Sequence, residues 1–201
     1  MKIKRIVGQT VLLLAIAQIV LVLVSWLIAA AMPELAVRSL LSSEGIRWFF
    51  GHFIRNLATP FLVWILLLCI AFGAIQESGL LDYFFLKRAV TYRQRYAMKI
   101  VFFELILFIA IMLLLTVMPH AILLSVTGKL FPSSFSDSIV AVICFALVVF
   151  SVTYGLMGET INNSVKIVDC LTAGIVRFRW VFLLYVLAAE LYSSILFVFA
   201  N

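Results

Sequence analysis

Charged side chains are distributed unevenly along this chain, and five stretches carry almost none. They are Ile6 to Pro33, Asn56 to Gln76, Ile100 to Gly128 (interrupted by Glu104), Ser138 to Gly158, and Trp180 to Asn201 (interrupted by Glu190). Each is about long enough to cross a bilayer, because ~20 apolar residues rising ~1.5 Å each match the hydrocarbon thickness. The pattern predicts an all-α, polytopic integral membrane protein with about five transmembrane helices. We place the spans at about 7–32, 57–76, 100–118, 138–157 and 179–199, within a single membrane domain covering 1–201.

The segments between spans are patterned differently. In 34–55, Leu35, Val37, Leu40, Leu41, Ile46, Phe49, Phe50 and Phe53 are interleaved with Arg38, Glu44, Arg47 and Arg55. Ser42 or Ser43 can cap its second half, with Glu44 and Arg47 three apart on a polar side. This predicts amphipathic helices lying on the outer surface, either as a plain connector or as a lid or docking surface. In 77–99, Gly79 can supply the left-handed residue that ends the preceding helix. There Tyr83, Phe84, Phe85, Tyr92 and Tyr96 mix with Lys87, Arg88, Arg93 and Arg95, which suits a cytoplasmic headgroup zone. Pro119 and His120 mark the exit of the third span, and Ala121 to Phe131 reads as a kinked extension or a shallow re-entrant turn.

Composition narrows the class further. The chain is 66% hydrophobic and 12% charged, where a soluble domain carries roughly a quarter charged residues, so a water-soluble core cannot absorb it. The apolar run behind Lys2, Lys4 and Arg5 resembles a signal peptide, but its length favours a retained anchor. Cationic loops resist translocation. With the N-terminus inside, the inner segments hold Lys2, Lys4, Arg5, Lys87, Arg88, Arg93, Arg95, Lys99, Lys166, Arg177 and Arg179, and the outer ones only Arg38, Arg47, Arg55 and Lys129. Eleven of the fifteen cations then lie inside, which predicts N-inside and C-outside. This bias and anionic headgroups account for the net charge of +6, so no nucleic-acid partner is expected.

Soluble-type chemistry is not expected either. Cys69, Cys144 and Cys170 lack the short spacing of a metal or redox motif, and neither His52 nor His120 has a suitable i, i+4 partner. Neither a phosphate-cradling glycine loop, a nucleophile elbow nor a triad is present. We expect neither an enzyme, a metal site nor a cofactor.

Polar groups inside the apolar stretches are the candidate sites. Ser151 to Ser164 reads Ser-Val-Thr-Tyr-Gly-Leu-Met-Gly-Glu-Thr-Ile-Asn-Asn-Ser. Gly155 and Gly158 loosen a helix there, and Glu159, Asn162 and Asn163 offer ligands. It reads either as an interrupted helix that handles ions or substrate, or as a helix finishing at the cytoplasmic surface. Glu104, one turn inside the third span, can snorkel and pair with Arg95 or Lys99. Glu190 lies mid-span, where a carboxylate costs a few kcal/mol or more. Ser193 and Ser194 at i+3 and i+4 give it a polar face toward the C-terminus, and it serves either as interhelical contact or in proton coupling.

At Leu41-Ser42-Ser43-Glu44-Gly45-Ile46-Arg47-Trp48 and Gly73-Ala74-Ile75-Gln76-Glu77-Ser78-Gly79-Leu80-Leu81, the chain resembles the aminobenzoyl-glutamate transporter (AbgT) family. Ser138 to Ile175, ending Val168-Asp169-Cys170-Leu171-Thr172-Ala173-Gly174-Ile175, is similar to that family's first re-entrant hairpin and its exit. The resemblance covers only the N-terminal part of a family member. The family's hairpin tip is a small-residue Ser-Gly-Gly and Ser-Ala-Asn pattern, of which Gly155 and Asn162 or Asn163 remain here. The resemblance implies a dimeric protein of the bacterial cytoplasmic (inner) membrane, driven by a cation gradient, that moves aminobenzoyl-glutamate or exports sulfonamide-like antimetabolites. It makes Ser138 to Ile175 a candidate re-entrant hairpin. The expected function is a shortened transporter or transporter subunit for a small organic anion, assembled as a homo-oligomer or with a second membrane subunit. The alternative is a non-transporting scaffold or regulatory subunit that binds a partner membrane protein.

Overall fold

A computed structural model describes residues 2–32, 34, 36–85, 91–117 and 134–199. The described residues are helical with no strand, and five helices are long and apolar enough to cross a membrane. Lys87, Arg88, Pro119, His120, Lys129 and Ala121 to Phe131 lie outside the described residues. The elements in chain order are α1 (Lys2–Ala31), α2 (Ser43–Leu57), α3 (Pro60–Glu77), α4 (Leu80–Phe85), α5 (Tyr92–Val117), α6 (Ser134–Met157), α7 (Ser164–Arg177) and α8 (Arg179–Phe199). Where the sequence reads as one membrane domain, the chain divides into two compact units, Met1–Val63 with Phe178–Asn201, and Trp64–Arg177.

The first unit is built on α1 and α8. Gln18 meets Ser194, and Leu21 and Val22 pack with Phe197 and Val198. Residue numbers rise together along both helices, so they run parallel. That is required of the first and last of five spans that alternate in direction. The connector is tied to both: Leu40 N–H donates to Ser25 Oγ at 3.2 Å, and Arg38 N–H donates to the Val198 carbonyl at 3.2 Å.

α2 begins at Ser42, whose hydroxyl accepts from Gly45 N–H at 3.0 Å, an N-cap that satisfies a donor the helix cannot. The expected flat placement on an outer surface differs from what is found. Trp48 stacks on Phe197 with ring centroids 4.3 Å apart, and Asn56 reaches Glu190. Numbers rise on α2 as they fall on α8, so α2 runs antiparallel down the second half of α8. Stacking and a part-buried hydrogen bond hold its Trp48–Asn56 side against that helix, and an element lying across the end of α8 would lose both.

In the second unit, α3 ends at Gly79, whose φ of 78° is the left-handed conformation expected of it. α5 starts at Tyr92, earlier than the expected span, so Arg93, Arg95 and Lys99 lie on its first turns. Phe108 meets Phe150 edge-on and Thr153 meets Glu104, so α5 and α6 are antiparallel. Ala97, Val101, Ala146, Phe150 and Tyr154 form their shared core. α7 crosses α3 with almost no side chain between. A Cβ on Gly174 would lie 1.8 Å from the Cys69 carbonyl oxygen, and one on Gly73 would lie 2.4 Å from Gly174 N. Ala74 is fully buried beside them, and the Cys170 thiol donates to the Ala74 carbonyl at 3.6 Å. Burial and then the Glu77 carboxylate push the Cys170 thiol above its ordinary range.

Candidate functional site

Glu190 is the twelfth residue of the 21-residue α8, which places it about 16 Å along the axis from Arg179 and about 14 Å from Phe199. It is 6% exposed. Its one hydrogen bond comes from Asn56, whose Nδ2 donates to Oε2 at 3.4 Å, at the long limit of such a bond. Oε1 has no hydrogen-bond partner. A carboxylate held this way keeps most of its desolvation cost.

The cluster around it follows from helical spacing. Ser194, four residues on, is fully buried and accepts from Gln18 Nε2 at 2.9 Å. His52, one turn before Asn56, stacks on Trp48. With Trp48 level with Phe197 and Asn56 level with Glu190, His52 falls at the height of Ser193 and Ser194. Gln18 Oε1 and His52 Nδ1 are buried without hydrogen-bond partners, as is Glu190 Oε1. Buried polar groups are normally satisfied, so these three atoms, one on each of α1, α2 and α8, are exceptions within this unit.

The chain breaks beside this cluster. α2 ends at Leu57 and α3 restarts at Pro60, which suits a first helical position because it lacks the N–H that would be orphaned there. The Tyr185 hydroxyl lies 2.8 Å from the Leu57 carbonyl, to which it donates, and 2.6 Å from Thr59 Oγ1. Tyr185 thus ties down the exposed end of α2 from a position five residues before Glu190. Tyr185 lies about 140° around α8 from Glu190, so the polar side that holds Glu190 runs toward Ser193 and Ser194, as expected from its i+3 and i+4 neighbours.

The other sequence-predicted positions lie elsewhere. α6 is an uninterrupted 24-residue helix, about 36 Å long, followed after a turn by α7, and Gly155 and Gly158 do not interrupt it midway. They belong to its end. Glu159 N–H donates to the Leu156 carbonyl, and Thr160 N–H and Ile161 N–H both donate to the Gly155 carbonyl. Glu159 takes the left-handed position at φ 60°, which completes a Schellman cap with a non-glycine residue at its turning point. Thr160 Oγ1 also donates to the Ser78 carbonyl at 2.9 Å, fastening the end of α6 to the end of α3. Glu159 pairs with Arg93, both exposed, and Asn162 and Asn163 are exposed. From Gly155 to Asn163 the polar groups close a helix end or face outward, whereas Thr153 donates to Glu104 and Ser151 Oγ is buried without a hydrogen-bond partner.

Glu104 also differs from expectation. Its Oε1 accepts from Thr153 Oγ1 at 2.9 Å across the α5–α6 contact, and the only ion pair among the described residues is Arg93 with Glu159. Arg95 and Lys99 do not reach it because they lie more than a full turn away along the same helix. Sequence reading singled out Glu190, set His52 aside as a metal ligand, and passed over Gln18 and Asn56. The available signal was their position, polar residues in or at the edge of apolar stretches. No group of three or more potential metal ligands occurs among the described residues. Against protein-family models, curated proteins and solved structures, the chain matches nothing.

Proposed function

We propose that this multi-pass membrane protein is a transport-type subunit in which Glu190 couples proton or cation movement to translocation of a small organic anion. The observation that carries this reading is a carboxylate 6% exposed halfway along a span-length helix, with one oxygen unpartnered, beside a break between two helices. Intramembrane acids and discontinuous helices are the usual parts of ion-coupled sites. The anion half rests on α2. Its Arg47, Gly51 and Arg55 are exposed along one side at two successive four-residue steps, with open space around Gly51. α2 therefore turns cations to one side and the Glu190 contact to another, so a movement of this helix touches both.

The resemblance to aminobenzoyl-glutamate transporters points the same way and gives the anion class, aminobenzoyl-glutamate or a sulfonamide-like relative. On this reading the chain works as a homo-oligomer or with a second membrane subunit. The excess of cations on one set of loops and the parallel α1 and α8 favour an N-inside, C-outside arrangement in a bacterial inner membrane. The test is gradient-driven uptake of radiolabelled aminobenzoyl-glutamate into vesicles containing only this protein. The reading expects uptake that collapses with the cation gradient and is lost in Glu190→Gln. No gradient-dependent flux of any folate-like anion would remove the autonomous transporter.

A second reading, a non-transporting scaffold or regulator, is favoured by the third side of α2, where Ile46, Phe50 and Ile54 are 47%, 77% and 81% exposed. Such a side suits a partner membrane protein. Mass determination in nanodiscs tests both readings at once, since a persistent lone protomer argues against the scaffold and the assembled transporter alike, while flux separates them.

A further inference from the structure

A second acid, half-buried Glu104, carries an inference independent of the Glu190 reading. Between α5 and α6 lies a groove of about 280 Å³ whose walls are Leu107, Phe108, Ile111, Phe145, Val149 and Phe150, with Glu104 at one end. Glu104 is its one charged lining residue. Thr153 fixes Oε1, while Oε2 is buried without a hydrogen-bond partner. An ionised carboxylate against apolar walls is stabilised by a cation that brings its own donors. Aromatic rings at Phe108, Phe145 and Phe150 add faces that attract an ammonium. The remaining walls match an alkyl chain and nothing polar. We propose that this groove binds a lipophilic ammonium, with the nitrogen at Glu104 Oε2 and the chain lying along Leu107, Ile111 and Val149.

The chemistry admits two sources, an aminophospholipid headgroup or a free long-chain amine. Committing to an ammonium, rather than to any acyl chain, follows from charge complementarity: a neutral amphiphile can donate at most an uncharged hydrogen bond to Oε2 and leaves its charge unbalanced, and an anionic one would be repelled.

The test is native mass spectrometry of the protein in a neutral maltoside detergent, titrated with dodecylamine. The proposal expects saturable one-to-one binding that dodecanol does not displace. Glu104→Gln weakens it about tenfold or more, the size of a lost charge-assisted contact. Ile111→Trp, at a position 49% exposed and outside the α5–α6 core, narrows the groove and weakens binding without unfolding the protein. If phosphatidylethanolamine nanodiscs abolish dodecylamine binding and phosphatidylglycerol nanodiscs do not, the headgroup is the source. Equal binding in both assigns the site to a free amine. Unchanged binding in Glu104→Gln, or equal competition by dodecanol, overturns the proposal.

Discussion

Two interruptions of helix, at Ala58–Thr59 and at Gly158–Asn163, look alike in one respect and behave oppositely in another. Both put polar residues where a helix stops. In the second, each freed group is answered locally: the Gly155 carbonyl takes two backbone donors, Thr160 bridges to Ser78, and Glu159 pairs with Arg93. In the first, backbone bonds from Ala58, Thr59 and Leu62 also close the turn and Tyr185 serves both Leu57 and Thr59, but Asn56 at the end of α2 reaches Glu190, a 6% exposed acid that keeps an unpartnered oxygen. The difference teaches that polar composition at a break does not mark a site. A buried acid with an unpartnered oxygen is the feature on which the proposed site rests.

Several substitutions sharpen or break that contrast. The largest expected effect is on function: Glu190→Gln takes gradient-driven flux to background in vesicles, whereas Glu159→Gln, at the satisfied break, leaves it near wild type. If both lose flux equally, the contrast fails. Next is Gly174→Val, which forces a side chain into the Cys69 backbone and should cost about 3 kcal/mol or more by thermal unfolding in detergent. A tolerated valine would mean that α7 does not rest backbone to backbone on α3. Tyr185→Phe removes the hydroxyl serving Leu57 and Thr59 and should cost about 1–2 kcal/mol by the same measurement. No change would detach Tyr185 from the α2–α3 break. The smallest is Glu159→Gly. Relief of the left-handed backbone is worth about 1–2 kcal/mol, and loss of an exposed ion pair removes at most about 1 kcal/mol. The variant should be as stable as wild type or up to about 1 kcal/mol more so, and a clear loss would give the Arg93 pair more weight than its exposure allows.

The membrane class and the long helices were legible because they rest on uncharged length, which single residues cannot disguise. Caps were legible too: Ser42 and Gly79 act through their own backbone neighbours, within reach of local pattern. The helix break at 58–59 was less visible, since Ala58 and Thr59 carry no strong signal and Pro60 reads equally well inside a span. The segment Ser151–Ser164 drew attention for its composition, although its glycines and Thr160 serve a helix end. What sequence could not supply was register. Gln18 and Ser194 are 176 residues apart, and Asn56 and Glu190 are 134 apart. Their meeting depends on α1 and α8 being parallel and α2 antiparallel to both, which no local pattern encodes. For the same reason Glu104 was assigned cations on its own helix, when its partner, Thr153, comes from the next one.

The central claim is that Glu190 exchanges a proton or cation within the folded protein. Infrared difference spectroscopy of the reconstituted protein, recorded while pH and sodium are varied, tests it most directly. The account predicts a carboxyl band that responds to proton or cation concentration and disappears in Glu190→Gln, with the fold unchanged. A carboxyl signal at Glu190 that stays constant across every condition in which the fold persists would contradict it.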